Sequence, residues 1–255
     1  MKIRFLGTGY GECKIKKKNS KDYRKSGGVL IDDKILIDAP LDIFEVADEL
    51  GLSDILSTVT TVLITHSHSA HFSAEAIARL SERKRVSVYA TRPVLSMIEP
   101  SARLSLFEIG VFTRFNAENY EIITLPTNHR TDIAEEICLN FIISGEKSVL
   151  YALDGGFVNT DAFSLLKTKK LDVVIGDCAL EIQGASEKNL YHNDIYTVSR
   201  MKDIFLSSKI AHEGTKFILS HIPSPRKRAI HEELTPIAQE HGLTVAYDGY
   251  FLRIW

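Results

Sequence analysis

A mixed α/β domain is predicted from three features of the sequence. Short apolar strand patterns alternate with helix patterns, histidine and aspartate residues recur at the ends of several strands, and no linker, repeat or low-complexity stretch divides the chain. The candidate residues run from His66 to His221 and must meet in space to act together, so residues 1–255 are read as one domain. A chain of 255 residues can bury a large core. Its 44% apolar composition points to a soluble globular protein, and a net charge of −2 argues against wholesale nucleic-acid binding. The longest apolar runs fall far short of a bilayer span, and Met1 leads directly into a strand pattern without a signal peptide. No membrane association and a cytoplasmic location are therefore expected. Cys13, Cys138 and Cys178 are odd in number and widely spaced, and are read as free thiols.

In chain order, residues 3–6 form a first strand pattern, followed by the glycine turn Gly7-Thr8-Gly9-Tyr10-Gly11. The turn lacks GxGxxG spacing and no helix pattern follows it, so it is a poor phosphate cradle. Residues 14–25 carry Lys14, Lys16, Lys17, Lys18, Lys21, Arg24 and Lys25 against Asp22 alone, with no apolar periodicity. The run reads equally as a solvated loop or as a cationic rim that concentrates an anionic substrate, with Lys16, Lys17 and Lys18 as candidate contacts. Strands at 29–32 and 35–38 are joined by a turn at Asp33 and Lys34. A helix over 40–50 places Ile43, Val46, Ala47 and Leu50 on one face, with Gly51 as its stop.

The β-branched run at 60–64 then delivers Thr65-His66-Ser67-His68-Ser69-Ala70-His71. His66 and His68 are two apart at a strand end, so they can point to one side and close on a single ion. His71 follows the turn and can reach a second ion. Neutral imidazole is the commonest protein ligand for zinc-like ions. A His-rich solvated loop is the alternative, and it is disfavoured by further candidate ligands downstream. A helix starts at Ser73, its N-cap, with Glu75 in the first turn and Ala76, Ile77 and Leu80 as the packed stripe.

Strand and helix patterns continue over 86–90 and 92–97, and residues 107–141 read mostly as β. His129 follows a strand over 120–125, Asp154 a strand near 149–153, and His221 a strand over 216–220. A buried strand over 172–177 ends in Asp177, and His192 precedes a helix whose inner face is Ile195, Val198, Met201 and Phe205. A helix over 226–234 is expected to restart at Thr235 and Pro236, which look like an N-cap and a first-turn proline. The last two strands, 243–247 and 251–254, flank Asp248-Gly249, a type I′ turn signal. His212, His231 and His241 lie in polar, helix-like surroundings and are given no role.

The run from His66 to His71 resembles the His-x-His-x-Asp-His signature of the metallo-β-lactamase superfamily, with Ala70 where the signature has aspartate. Thr127-Asn128-His129 resembles the third ligand block, residues 149–156 the block whose aspartate bridges two ions, here Asp154, and the run beginning Ser220-His221 the last block. The Leu6-Gly7-Thr8-Gly9 opening, the Ala246-Tyr247-Asp248-Gly249 ending, and Asp177 with His192 resemble the phosphodiesterase-like branch. That branch includes ribonuclease Z and the cyclic-phosphate phosphodiesterases of the phosphonate pathway. The resemblance spans nearly the whole chain and implies an αββα sandwich, two mixed sheets face to face with helices outside and metals at one edge.

It further implies two divalent transition metals, zinc or manganese. Site one would be His66, His68, His129 and Asp154, and site two His71, Asp154 and His221, weakened because the Ala70 methyl group cannot coordinate. Asp38 would support the site without being a ligand. His192 would contact phosphate or protonate the leaving oxygen, with Asp177 orienting it. The activity implied is hydrolysis of a small cyclic or nucleotide-derived phosphodiester by a metal-bound hydroxide, impaired by Ala70. Ala70 is compatible with an inactivating change, a natural one-metal variant or a step towards a binding module. The alternatives are a catalytically silent metal- or nucleotide-binding module and a ribonuclease Z-like RNA-processing nuclease. No insertion here resembles the long basic arm of ribonuclease Z, so a small phosphate ester is the expected partner rather than nucleic acid, and a homodimer is left open.

Overall fold

The computed structural model describes residues 1–11, 20–224 and 230–255; Cys13, Lys14, Lys16, Lys17 and Lys18 lie outside the described residues. The first half of the chain runs β1 (Lys2–Phe5), β2 (Gly9–Tyr10), β3 (Val29–Ile31), β4 (Ile35–Ile37), α1 (Ile43–Glu49), α2 (Ser53–Leu56), β5 (Thr61–Leu63), α3 (Ala74–Ser81), β6 (Val86–Ala90), α4 (Arg92–Leu95) and β7 (Leu104–Glu108). The second half runs β8 (Arg114–Ala117), β9 (Tyr120–Pro126), β10 (Leu139–Ser144), β11 (Ser148–Ala152), α5 (Thr160–Leu166), β12 (Leu171–Asp177), α6 (Ile195–Ser207), β13 (Ala211–Ser220), β14 (Ile222–Pro223), α7 (His231–Glu240), β15 (Thr244–Val245) and β16 (Phe251–Arg253).

Fourteen of these strands form two seven-stranded sheets, ordered β16-β1-β3-β4-β5-β6-β7 and β15-β13-β12-β11-β10-β9-β8, and β2 pairs separately with β14. Both are mixed: β4 through β7 pair in parallel in the first, and β11, β12, β13 and β15 in the second, with antiparallel pairs elsewhere. The period-two alternation of strand side chains decides what each face buries. In β4, Ile35 and Ile37 enter the core between the sheets, with Phe5, Phe141, Tyr151, Ile175 and Ile218. Leu36, between them in sequence, points the other way, into a core with Val62, Val88, Ile43, Val46 and Ile77 under α1 and α3. Leu150, Val174 and Leu219 do the same on the second sheet, against Val198, Met201, Phe205 and Leu234. Strands covered on both faces read as continuous apolar runs, which is why 29–31, 35–37 and 61–63 show no polar alternation. The layers are αββα, as the resemblance implied.

Two helices carry the site by their starts. The Ser73 hydroxyl caps α3 by accepting from Ala76 N, immediately after the histidine run. Asp194 caps α6 by accepting from Thr197 N, so His192 sits just ahead of a fixed helix end. The face expected for α6 is the one buried: Ile195, Val198, Met201 and Phe205. Among the described residues, no helix is long and apolar enough to cross a membrane. Cys138 and Cys178 are free and buried.

Two local expectations fail near the C-terminus. Thr235 and Pro236 start no new helix, because α7 runs without a break through Pro236. His231, Leu234 and Ala238 are all buried along its inner side, and that shared burial outweighs the roughly 3 kcal/mol that an interior proline costs. Asp248-Gly249 is likewise not the turn of a hairpin. β15 pairs with β13 in the second sheet and β16 with β1 in the first, so the chain crosses between sheets there. The Asp248 carboxylate is bonded instead to Thr8 and to Lys25 N.

Candidate metal centre

The predicted ligand positions converge at one edge of the two sheets. His66 and His68 follow β5, His129 follows β9, Asp154 follows β11, Asp177 ends β12 and His221 follows β13. His68 Nδ1 lies 3.1 Å from His66 Nε2 and 3.2 Å from His129 Nε2. Ligands about 2.0–2.1 Å from a tetrahedral ion stand about 3.3 Å from one another, so these three nitrogens are spaced as one coordination face. Asp154, 2% exposed, faces histidines with both oxygens. Its Oδ2 is 2.7 Å from His71 Nε2 and 3.6 Å from His66 Nε2, and its Oδ1 is 3.0 Å from His221 Nε2 and 3.1 Å from His192 Nδ1. Buried polar groups normally find hydrogen-bond partners, yet His71 Nε2, His221 Nε2 and Asp154 Oδ1 make no hydrogen bond of acceptable geometry despite this proximity. Orphaned donor atoms aimed at common points, on histidine and aspartate, fit a metal better than they fit one another. Ala70 is half-buried beside His71 and adds no donor to the group.

Support behind the ligands sets which nitrogen each presents. Asp38, fully buried, accepts from Thr65 N and Thr65 Oγ1 at 2.9 Å each, from Tyr151 Oη at 3.0 Å, and from His71 Nδ1 at 2.7 Å. With its hydroxyl proton given to Asp38, Thr65 accepts from His66 Nδ1 at 3.0 Å. Both rings are thereby held with Nδ1 protonated and Nε2 turned into the cluster, the arrangement in which an outer carboxylate raises ligand basicity. Asp38, Asp154 and His221 all adopt positive φ, 62°, 48° and 57°, so the cluster holds three non-glycine residues in a sparsely populated conformation.

Charge among the cluster side chains is unevenly shared. Burial, then the neighbouring His71, pushes His66 well below the ordinary histidine value, and burial lowers His129 to about 4. Burial acts the same way on His71, but the Asp38 and Asp154 carboxylates outweigh it and raise the ring to about 10. His192 is also raised to about 10, burial being outweighed by Asp154 and Asp177. Asp154 itself, against a burial effect that opposes ionisation, is held well below the usual carboxylate range by His221 and His71. Asp177 accepts from His192 Nδ1 at 3.2 Å, from Asn193 N at 3.0 Å and from Ala179 N at 2.7 Å, which fixes the His192 ring from behind.

A family model described as a beta-lactamase superfamily domain matches residues 33–242, most of the chain. The chain belongs to the metallo-β-lactamase superfamily. Solved structures of the same fold include zinc-bound PqqB from Methylobacterium extorquens (15% identity, 100% of each chain covered, TM-score 0.75). Others are a diphosphatase of the PhnP family (18% identity, 99% of this chain and 97% of that chain, TM-score 0.70) and the short form of human tRNase Z (17% identity, 100% and 99%, TM-score 0.68). No curated protein matches by sequence. The superfamily consists mostly of metal-dependent hydrolases, and the histidine and aspartate cluster has the composition and spacing that could hold a metal ion.

Part of what positions a superfamily site in this member is invisible in single residues. Gly7 and Gly27 let two loops touch: a Cβ on Gly27 would lie 1.8 Å from Gly7 O. β2 then pairs in parallel with β14, directly after His221, and carries Tyr10 into edge contact with the rings of His221 and His192, at 4.9 and 5.3 Å between centroids. Arg24, counted above among the basic run, is only 1% exposed. Its Nη1 donates to Thr8 Oγ1 and Ala246 O, both at 2.7 Å, and its Nη2 lies 3.0 Å from His231 Nδ1. With Asp248 on Thr8 and Lys25, this lock joins the glycine turn, the C-terminal crossing and α7. Arg24→Met should cost about 2–4 kcal/mol, since it leaves buried acceptors unpaired. Urea unfolding reads that loss directly, and a midpoint unchanged from wild type would refute the lock.

His231 makes the lock pH-sensitive. Burial, then the Arg24 guanidinium, lowers its ring to about 4, so the folded chain holds it neutral. The unfolded chain takes up that proton at about 6.5, so the His231 contribution is present above that pH and lost as pH falls towards about 4. Asp248, raised to about 6 chiefly by burial, acts in the opposite sense over the lower part of this window. His231→Asn, which keeps an acceptor for Arg24, isolates the histidine. The stability advantage of wild type over this variant should shrink as pH is lowered from 7 to 4, and a constant difference would exclude the linkage.

Proposed function

We propose that this protein is a metal-dependent phosphodiesterase acting on a small cyclic or nucleotide-derived phosphodiester. The observation that carries the reading is Asp154, one buried carboxylate whose two oxygens face different histidines, beside the Asp177–His192 pair. His66, His68, His129 and Asp154 would hold one divalent ion, zinc or manganese, and His71, Asp154 and His221 a second. Such ions supply an activated water and neutralise charge on phosphate oxygens. His192 has Nδ1 engaged by Asp177, which leaves Nε2 to hydrogen-bond a phosphate oxygen or to give a proton to the departing alkoxide. Asp38, Thr65 and Tyr151 keep the ligand rings from turning. The zinc-bound, diphosphatase and tRNase Z neighbours support the same class of chemistry.

Ala70 favours a second reading, a metal- or nucleotide-binding module without turnover. The second ligand group then has three protein donors against four in the first, and its ion is held more weakly. Metal analysis with turnover of bis(p-nitrophenyl) phosphate by the purified chain separates the readings. We expect transition metal to be retained with the His66, His68 and His129 group filled first, and slow but metal-dependent hydrolysis. Protein never exposed to chelator or acid that carries no metal would exclude the phosphodiesterase and a metal-binding module alike, and full metal without hydrolysis would leave the binding module.

A further inference from the structure

A cavity of about 470 Å³ opens beside the cluster. Two residues of the cluster, His129 and His192, line it together with Tyr10, Arg130, Lys188 and Tyr191. Among the described residues, no carboxylate lines it. Arg130 and Lys188 are exposed, and their side chains make no ion pair or hydrogen bond among the described residues. Two cations lining one concavity, with no carboxylate among its described lining residues, attract an anion, and guanidinium suits the paired oxygens of phosphate. Tyr10 is 44% exposed and Tyr191 41%, so two large rings present free surface to the same space. Tyr10 is also braced against His192 and His221 and held by the paired β2 and β14. A rigid, half-exposed ring beside a cationic wall is the composition of a stacking platform for a planar group attached to phosphate.

We propose that this cavity binds the part of the substrate beyond the phosphorus under attack, and that this part carries both a planar heteroaromatic ring and a second anionic group. The ring lies against Tyr10 and Tyr191, and the anion on Arg130 and Lys188. The inference rests on the phosphodiesterase reading for its orientation, and narrows the substrate class to esters of the nucleoside diphosphate type. A volume of this size takes such a group whole.

Binding tests it independently of turnover. Isothermal titration of the full chain should give a Kd for adenosine 5′-diphosphate at least about tenfold below the values for ribose 5-phosphate, which lacks the ring, and for inorganic pyrophosphate, which also lacks it. Tyr191→Ala should remove most of the advantage over pyrophosphate, and Lys188→Gln should weaken the diphosphate severalfold and flatten the salt dependence of its Kd. Both positions are on the surface, and matching circular dichroism would establish that the variants are folded. Equal affinities for the three probes, or diphosphate binding untouched by both substitutions, would overturn the proposal. Tight ring-dependent binding without hydrolysis would keep the cavity assignment and reject the hydrolase, whereas hydrolysis of bis(p-nitrophenyl) phosphate with no ring preference would do the reverse.

Discussion

Ala70→Asp is expected to raise phosphodiesterase kcat on the order of 10³-fold, about 4 kcal/mol of barrier, and to bring the metal content to two ions per chain. Everything else that the second ligand group needs is in place. His71 is aimed by Asp38, His221 is aimed at Asp154, and both Nε2 atoms are without hydrogen-bond partners. The missing element is an anionic oxygen beside His71, and the hydroxyls of Ser67 and Ser69 are poor substitutes for a carboxylate. Ser67 is in any case occupied, donating to Glu136 at 2.5 Å. Stoichiometry by elemental analysis, together with kcat on bis(p-nitrophenyl) phosphate and on a phosphomonoester and a carboxylic ester, checks the result. Two ions per chain without acceleration on any of these would reject the hydrolase and leave a binding module. An unchanged stoichiometry would place the second group's deficiency elsewhere than position 70.

The second large effect is expected at Asp154. Asp154→Asn should lower metal affinity by about 100-fold or more and abolish measurable hydrolysis, while the fold persists. The substitution is close to neutral for the backbone, because asparagine tolerates the left-handed conformation that Asp154 adopts at φ 48°. The carboxylate contacts are with His66, His71, His192 and His221, all of them in the cluster, so removing its charge leaves the packing of both sheets alone. Titration with zinc at fixed pH and thermal unfolding of the metal-free protein separate the two consequences. Undiminished metal uptake would remove Asp154 from the ligand set, and collapse of the metal-free variant would show a structural role instead.

The convergence of the candidate histidine and aspartate ligands was legible because all but His71 follow an apolar strand pattern, and a strand end is a local feature that fixes where a side chain emerges. The same holds for α6, whose four buried residues repeat at helical spacing. Thr65 and Tyr151 carried a weaker signal, one preceding His66 and the other lying in the strand that leads to Asp154. Arg24 carried the wrong one: its six basic neighbours in the run marked it as a surface charge, whereas it is among the largest fully buried side chains of the described residues. Asp248-Gly249 was misread for a related reason, since a turn signal describes two residues and not the sheets that claim the strands on either side.

What the sequence determined by itself is the layer order, implied by its resemblance, the helix faces, and the order of the histidine and aspartate blocks, because these follow from local periodicity and from motifs a few residues long. Tertiary structure alone decided that the glycine turn, Arg24, His231 and Asp248 form one lock, and that Tyr10, Arg130, Lys188 and Tyr191 share a cavity. Arg24 meets Ala246 across 222 residues of chain. Contacts at such separations arise from how two sheets pack, and a buried guanidinium or a cationic wall leaves no periodic trace in the sequence from which it could be read.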